Sequence, residues 1–206
     1  RHHLRAWRVG LVVGYEAGYR RGVGKAVYVD LASFWNKYTR LQSFSAPALS
    51  FSGGKTYITI QYENQISGST TGFELTFQTQ IQPWWHANSS YSYLNSNFTA
   101  HGPTSDISST GSVRTYEKSS PKHMVSLQSK IDLPLGIQFD QDYRYVSALA
   151  AQKVRAYHTM DAHLQKTLGK GLSLELAGQN LFQPKHNEWG TGDPTQSPVG
   201  VYRAAY

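Results

Sequence analysis

The stretch Gly72–Leu94, GFELTFQTQIQPWWHANSSYSYL, decides how the chain is read. Taken in twos, Phe73, Leu75, Phe77 and Ile81 fall on one side and Glu74, Thr76, Gln78 and Gln80 on the other. That is the alternation of a strand with one apolar face. Gln82-Pro83-Trp84 breaks the run, and beyond it Ala87, Tyr91 and Tyr93 alternate with His86, Asn88, Ser90 and Ser92, so a second strand is expected to return beside the first. In a water-soluble hairpin the apolar side would look into a core. In a membrane barrel the same pattern is inverted: the apolar side meets lipid, the polar side lines a wet interior, and aromatics such as Trp84 and Trp85 sit at the interface.

The same alternation runs through most of the 206 residues. Leu11–Arg21 places Val13, Tyr15, Ala17 and Tyr19 against Glu16, Gly18 and Arg20, and Ala26–Tyr38 places Val27, Val29, Leu31 and Trp35 against Asp30 and Asn36. An extended segment is expected from Tyr57 to Ile81, with a bulge or bend at Gly68 and Gly72. Met124–Leu133, Ile137–Val146, Tyr157–Leu168 and Leu172–Phe182 repeat the pattern, and Val201–Tyr206 reads as a strand just beginning. That makes nine strands.

The connections sort into two kinds. Those at Gly22, Pro83, Pro134 and Gly169 are short, while those at 42–55, 99–120, 147–155 and 183–198 are long. Short turns on one side and long loops on the other are the asymmetry of outer-membrane barrels. A soluble sandwich has no physical reason to segregate its loops in this way. The expected fold is all-β, an antiparallel up-and-down transmembrane β-barrel segment occupying 1–206. The alternative, a soluble β-sandwich that binds or hydrolyses carbohydrate, requires Phe73, Leu75, Phe77, Leu174 and Leu176 to be buried under a second sheet. The chain begins without Met and stops inside a strand, so a longer protein with further strands ahead of Arg1 is expected.

Composition narrows the function. Fourteen tyrosines, five tryptophans and a 39% hydrophobic fraction low in aliphatics suit strands with one wet and one greasy face. No run of apolar residues is long enough for a transmembrane helix. The formal charge of +7 is spread over single residues, apart from Arg20-Arg21 and the N-terminal Arg1, Arg5 and Arg8, and is not gathered into a patch of the nucleic-acid-binding kind. With no cysteine there is neither disulfide nor thiolate chemistry.

Catalytic and cofactor motifs are missing. Gly53-Gly54-Lys55-Thr56 has the tail of a phosphate-binding loop, but Leu49 stands where its first Gly is required, which leaves a basic loop tip. No G-x-S-x-G occurs. His158 and His163, five apart on one strand, fall on opposite faces and cannot share a metal. Two sequons, Asn88-Ser89-Ser90 and Asn97-Phe98-Thr99, lie in or beside strands. No catalytic residue, metal or cofactor is assigned.

Two sets of residues remain as candidates. A polar stripe of Glu74, Asp140, Asp142, Arg144, Asp161, His163 and Glu175 should face a watery lumen, because a charge on the lipid side costs up to a few kcal/mol. In the long loops, Arg114, Tyr116, Glu117, His186 and Trp189 form a cationic and aromatic set suited to a small-molecule ligand.

Several short motifs, in order, carry a family likeness: Tyr15-Glu16-Ala17-Gly18-Tyr19-Arg20, Gly72-Phe73-Glu74-Leu75 ahead of Pro83-Trp84-Trp85, Ser90-Tyr91-Ser92-Tyr93, Ser120-Pro121-Lys122-His123, and Ala177-Gly178-Gln179-Asn180-Leu181-Phe182 followed by Pro184 and His186. Together they resemble the C-terminal part of the β-barrel of TonB-dependent outer-membrane receptors. The resemblance implies a barrel of about 22 strands, closed by an N-terminal plug, of which these are the last nine. It also implies a Gram-negative-type outer membrane as location, the TonB complex as energising partner, and an iron chelate, cobalamin or carbohydrate as cargo. The plug and the TonB box of that family have no counterpart in these residues. A smaller porin- or adhesin-type barrel is the membrane alternative.

Overall fold

A computed structural model describes residues 10–101, 107–190 and 199–206, with the side chains of 107–110 excepted. The basic N-terminal residues Arg1, Arg5 and Arg8 lie outside the described residues.

The chain runs β1 (Leu11–Val23), β2 (Val27–Phe44), β3 (Ala48–Ser52), β4 (Lys55–Thr59), β5 (Tyr62–Gln82), β6 (Trp85–Ala100), α1 (Ile107–Lys118), β7 (His123–Leu133), β8 (Ile137–Val146), β9 (Tyr157–Gly169), β10 (Leu172–Gln179), β11 (Lys185–Trp189), β12 (Val199–Tyr202) and β13 (Ala204–Ala205). Nine of the strands form one sheet in the order β1-β2-β5-β6-β7-β8-β9-β10-β13, and the pairs β3-β4 and β11-β12 form two small hairpins of their own. Eight of the expected strands are eight of the sheet's nine. Of the ninth, Val201–Tyr206, only Ala204–Ala205 joins the sheet, while Val201 and Tyr202 belong to β12, paired with β11 inside the connection expected at 183–198 as a plain loop. β1 and β13 stand at the two ends of the strand order, so the sheet is open.

Tight turns on one side have the backbone chemistry such turns demand. Lys170 and Gly171 both take positive φ, at 54° and 77°, which matches the twist of a two-residue hairpin. Leu135 and Gly136 do the same at 66° and 71°. Strands of 10 to 13 residues, as in β7, β8 and β9, extend about 33–43 Å. At a tilt of about 45° the shorter ones span roughly the 25 Å apolar band of an outer-membrane barrel.

The residues cluster into two compact units. The smaller comprises Arg1–Glu16, Phe34–Thr71 and Asn95–Ser120, and the larger Ala17–Ser33, Gly72–Leu94 and Pro121–Tyr206.

In the smaller unit Ile66, Phe98 and Ser43 are buried, with the Ser43 hydroxyl accepting the Gln65 N–H at 3.0 Å. Gly68 lies inside β5, within a strand and not a loop, as expected. It is required there because a Cβ would overlap the Asn97 carbonyl oxygen and the Phe98 ring. Only glycine lets β6 approach so closely. Gly68→Val in the full-length protein is expected to abolish the folded species, read as loss of heat-modifiable migration on a gel. Gly22→Ala, where an added Cβ meets nothing within 4 Å, should migrate as wild type.

Three expectations need correction. The connection at 42–55 is not a plain loop: β2 runs on to Phe44, and Gly53 and Gly54, both at positive φ, close the β3-β4 hairpin. The segment from Tyr57 is interrupted between Thr59 and Tyr62. The region 99–120, read as a loop, contains α1.

In the larger unit the registers from β6 to β10 run without a break apart from a shift at Leu172/Ser173, so each row from Ser173 onward can be followed across the sheet. One face carries Trp85-Ile131-Phe139-Leu164-Leu176 as a row, and the other carries His86-Lys130-Asp140-His163-Ala177. Among the described residues no second sheet covers the apolar face: Leu174 and Leu176 are 65% and 60% exposed. The burial required of a soluble sandwich is thus not met. The small packed core is elsewhere, where Val146, Leu149, Val154 and Tyr157 close the β8–β9 connection.

Candidate functional site

The polar face of the larger unit is the first candidate surface. Alternation in β7, β8, β9 and β10 fixes which side chains it holds, and the registers fix their neighbours. Asp140 lies opposite Lys130 on β7 and His163 on β9. Arg144 is opposite Ser126 and Thr159, and Glu175 is opposite Gln165. His163 Nε2 is 3.7 Å from Glu175 Oε2, and Arg20 donates to Asp30 at 2.8 Å on the same side. Both are exposed pairs, worth at most about 1 kcal/mol. Glu74 shares the polar side of β5 with Gln78 and Gln80, which border a groove together with Tyr28, His86 and Asn88. His158 falls on the opposite face, against Tyr145, as its spacing from His163 requires.

Asp142 and Asp161 face one another directly across β8 and β9. Two like charges so placed repel. Part of the repulsion is offset at Asp161, whose Oδ1 accepts the Asn180 N–H at 2.7 Å. Asn180 ends β10 in a left-handed turn, φ 51°, is almost wholly buried, and donates from Nδ2 to the Val201 carbonyl at 3.3 Å. Asn tolerates that conformation better than other side chains, a signal present in the sequence at Gln179-Asn180-Leu181 but not used.

The loop candidates divide between the two units. In the larger, His186 on β11 is buried and stacks on Tyr157 with centroids 4.4 Å apart. Its Nε2 is 3.2 Å from Glu188 Oε1, and the same oxygen accepts from Arg144 Nη2 at 2.7 Å. A residue of the polar stripe and a residue of the loop set are thus joined through Glu188, which sequence reasoning passed over. Trp189, two residues on from the mostly exposed Asn187, is 43% exposed.

In the smaller unit Arg114, Tyr116 and Glu117 are on α1. Glu117 Oε1 accepts the Phe98 N–H at 2.8 Å, and Tyr116 packs its ring on Phe98 at 5.5 Å and donates to the Gln42 carbonyl at 3.4 Å. Burial raises the Tyr116 phenol above its ordinary pKa. These two side chains fasten the helix; Arg114 is exposed.

On the apolar face, Trp84 and Trp85 stack at the β5–β6 turn with centroids 6.2 Å apart, and Trp85 Nε1 donates to Ser129 Oγ at 3.1 Å. Lys166, which shares a row with Ile137 and Leu174, bends back so that its ammonium donates to the Leu135 carbonyl at the turn. A lysine that reaches the end of an apolar face in this way keeps its charge out of hydrocarbon.

A family model for the outer membrane protein beta-barrel family matches residues 14–197. The chain belongs to that family. It is an outer-membrane β-barrel protein. Among solved structures it is similar to the siderophore receptor PiuA from Acinetobacter baumannii, with 17% identity, a TM-score of 0.70, and 94% of this chain covering 27% of that one. It is similar also to the pyoverdine outer membrane receptor FpvA from Pseudomonas aeruginosa PAO1, with 14% identity, a TM-score of 0.67, and 95% of this chain covering 28% of that one. The FrpB iron transporter from Neisseria meningitidis matches at 14% identity and a TM-score of 0.65, with 95% of this chain covering 30% of that one. The chain spans less than a third of the length of each. The expected likeness to receptor barrels is thereby borne out in the fold. No curated protein matches the chain.

Proposed function

We propose that this chain supplies wall strands and outer loops of a TonB-dependent receptor that takes up a small nutrient such as an iron chelate, cobalamin or a carbohydrate. The reading rests above all on the sorting of side chains in the larger unit, an uncovered apolar face backed by a face that holds Asp140, Asp142, Asp161, His163 and Glu175. An apolar exterior and a charged interior suit a wide, water-containing barrel closed by an internal domain. The similar structures named for siderophore and iron uptake favour a transport role over catalysis. The partners are then the bilayer, the remaining barrel strands, a plug that the charged face would hold by ion pairs, and the TonB complex. Of the loop candidates, Arg114 in the smaller unit and Trp189 in the larger are exposed, which supports a part for each in meeting cargo, whereas the buried His186 would act only by holding its own hairpin in place.

The test is uptake by cells with and without the full-length gene, using labelled ferric chelates, cobalamin and oligosaccharides offered separately. Deletion is expected to abolish high-affinity uptake of one class, and an uncoupler of the inner-membrane proton gradient should abolish it equally in wild type. Uptake that survives the uncoupler would point to a passive porin instead.

A further inference from the structure

We infer that the apolar face, at the end where β7 and β9 begin, docks the phosphate-bearing headgroup of a membrane lipid through Lys122 and His123. The first observation is a segregation of charge. Every carboxylate on the described sheet strands of the larger unit, namely Asp30, Glu74, Asp132, Asp140, Asp142, Asp161 and Glu175, alternates onto the interior face. The lipid face carries cationic or cationisable side chains instead: Arg21, His123, His158 and Lys166. An anion approaching that face meets no opposing carboxylate.

The two ends of the face then differ in whether those groups are already engaged. At the tight-turn end Lys166 is tied to the Leu135 carbonyl, and Arg21 donates to the Tyr19 hydroxyl at 3.5 Å. At the long-connection end His123 Nδ1 is 2.8 Å from the Tyr91 hydroxyl, which leaves Nε2 without a partner among the described residues. With Nδ1 accepting from the phenol, Nε2 carries the proton and can donate. The exposed Lys122 places its ammonium 5.6 Å above the Tyr93 ring, and no carboxylate among the described residues pairs with it. His123 itself lies against the Tyr93 ring at 5.3 Å, so both donors belong to side chains that touch the same ring. An ammonium and an imidazole N–H are the donor types that bind a phosphoryl oxygen.

What selects a lipid over a free anion is the rest of that face. Phe73 packs on Tyr91 and Tyr93, and the rows below hold Val125, Tyr145, Leu127 and Tyr143, with Leu127 45% exposed. An occupant that satisfies both parts has acyl chains along the aliphatic rows and a phosphate at Lys122 and His123. The inference depends on the outer-membrane placement of the chain and not on the cargo proposed above.

Native mass spectrometry of the full-length protein in detergent, titrated with diphosphoryl lipid A and with its dephosphorylated form, tests it. Wild type is expected to retain the phosphorylated lipid, and Lys122→Gln/His123→Gln to bind it about fivefold to tenfold less tightly, as loss of a cation near a charged headgroup predicts. The dephosphorylated lipid should bind both proteins alike, and Lys166→Gln should behave as wild type. Equal binding of the two lipids by wild type overturns the assignment, as does an unchanged affinity in the double variant. Inorganic phosphate at millimolar concentration displacing the lipid completely would make this a free-anion site and overturn it too. Should the double variant lose heat-modifiable migration, the exposed Lys122→Gln alone carries the comparison, with a smaller loss expected in the same direction.

Discussion

Leu164→Arg is expected to destabilise the barrel by about 2–4 kcal/mol, whereas Gln165→Arg, one residue along, should change stability by less than about 1 kcal/mol. Leu164 sits in the row Ile131-Phe139-Leu164-Leu176, well inside the apolar face that is proposed to meet lipid. A guanidinium there must stay in hydrocarbon or drag water inward. It cannot do what Lys166 does, because the turn carbonyl that Lys166 reaches is one row nearer the end of the sheet. Gln165 points the other way, between Gln138 and Glu175, where an arginine gains a carboxylate neighbour in a wet interior. The measurement is urea-dependent folding of the full-length protein into phospholipid vesicles, followed by tryptophan emission and gel migration. Comparable losses in the two variants would remove the distinction between the faces, and with it the reading of which side meets lipid.

The split into an apolar and a polar face was legible in the sequence, because it needs only a period of two. Eight of the sheet's strands and their neighbour-to-neighbour order followed from that period and the lengths of the turns: with turns at Pro83, Pro134 and Gly169 too short for a crossover, each strand has to pair with the one before it. The helix was not legible. Its sequence, ISSTGSVRTYEK, is full of residues that lose little by leaving a helix, and two of its last three side chains, Tyr116 and Glu117, find partners on strands. A helix held by tertiary contacts leaves a weak local trace. The β3-β4 hairpin is the opposite case, since Gly53-Gly54 is a strong hairpin signal.

The candidate residues divide along the same line. Alternation alone put Asp140, Asp142, Arg144, Asp161, His163 and Glu175 on one face, and the registers agree. What alternation does not give is how a face continues into the loops above it. Asn180 binds Asp161 across 19 residues of sequence and Glu188 binds Arg144 across 44, separations at which no periodicity survives. The consequence is that the residue joining the strand set to the loop set, Glu188, was in neither.

Its importance can be weighed by asking what each truncation leaves behind. Glu188→Ala removes the acceptor of two donors at once. Arg144, whose side chain is half exposed, recovers water and loses under about 1 kcal/mol. His186 does not recover water: its side chain is 4% exposed, and its Nδ1 is already without a partner, so truncation leaves both ring nitrogens buried and unmatched. A buried polar group stripped of its partner costs about 1–3 kcal/mol. Amides of β11 and β12 are therefore expected to exchange hydrogen about tenfold to a hundredfold faster in Glu188→Ala, with β7 and β8 unchanged. Arg144→Ala should move the same amides only slightly, Glu188→Gln should restore most of the protection because its amide oxygen still accepts, and the double variant should match Glu188→Ala alone. Were Arg144→Ala as damaging as Glu188→Ala, the exposed ion pair and not the stacked histidine would be what holds the hairpin down, and the order of these two effects would have to be reversed.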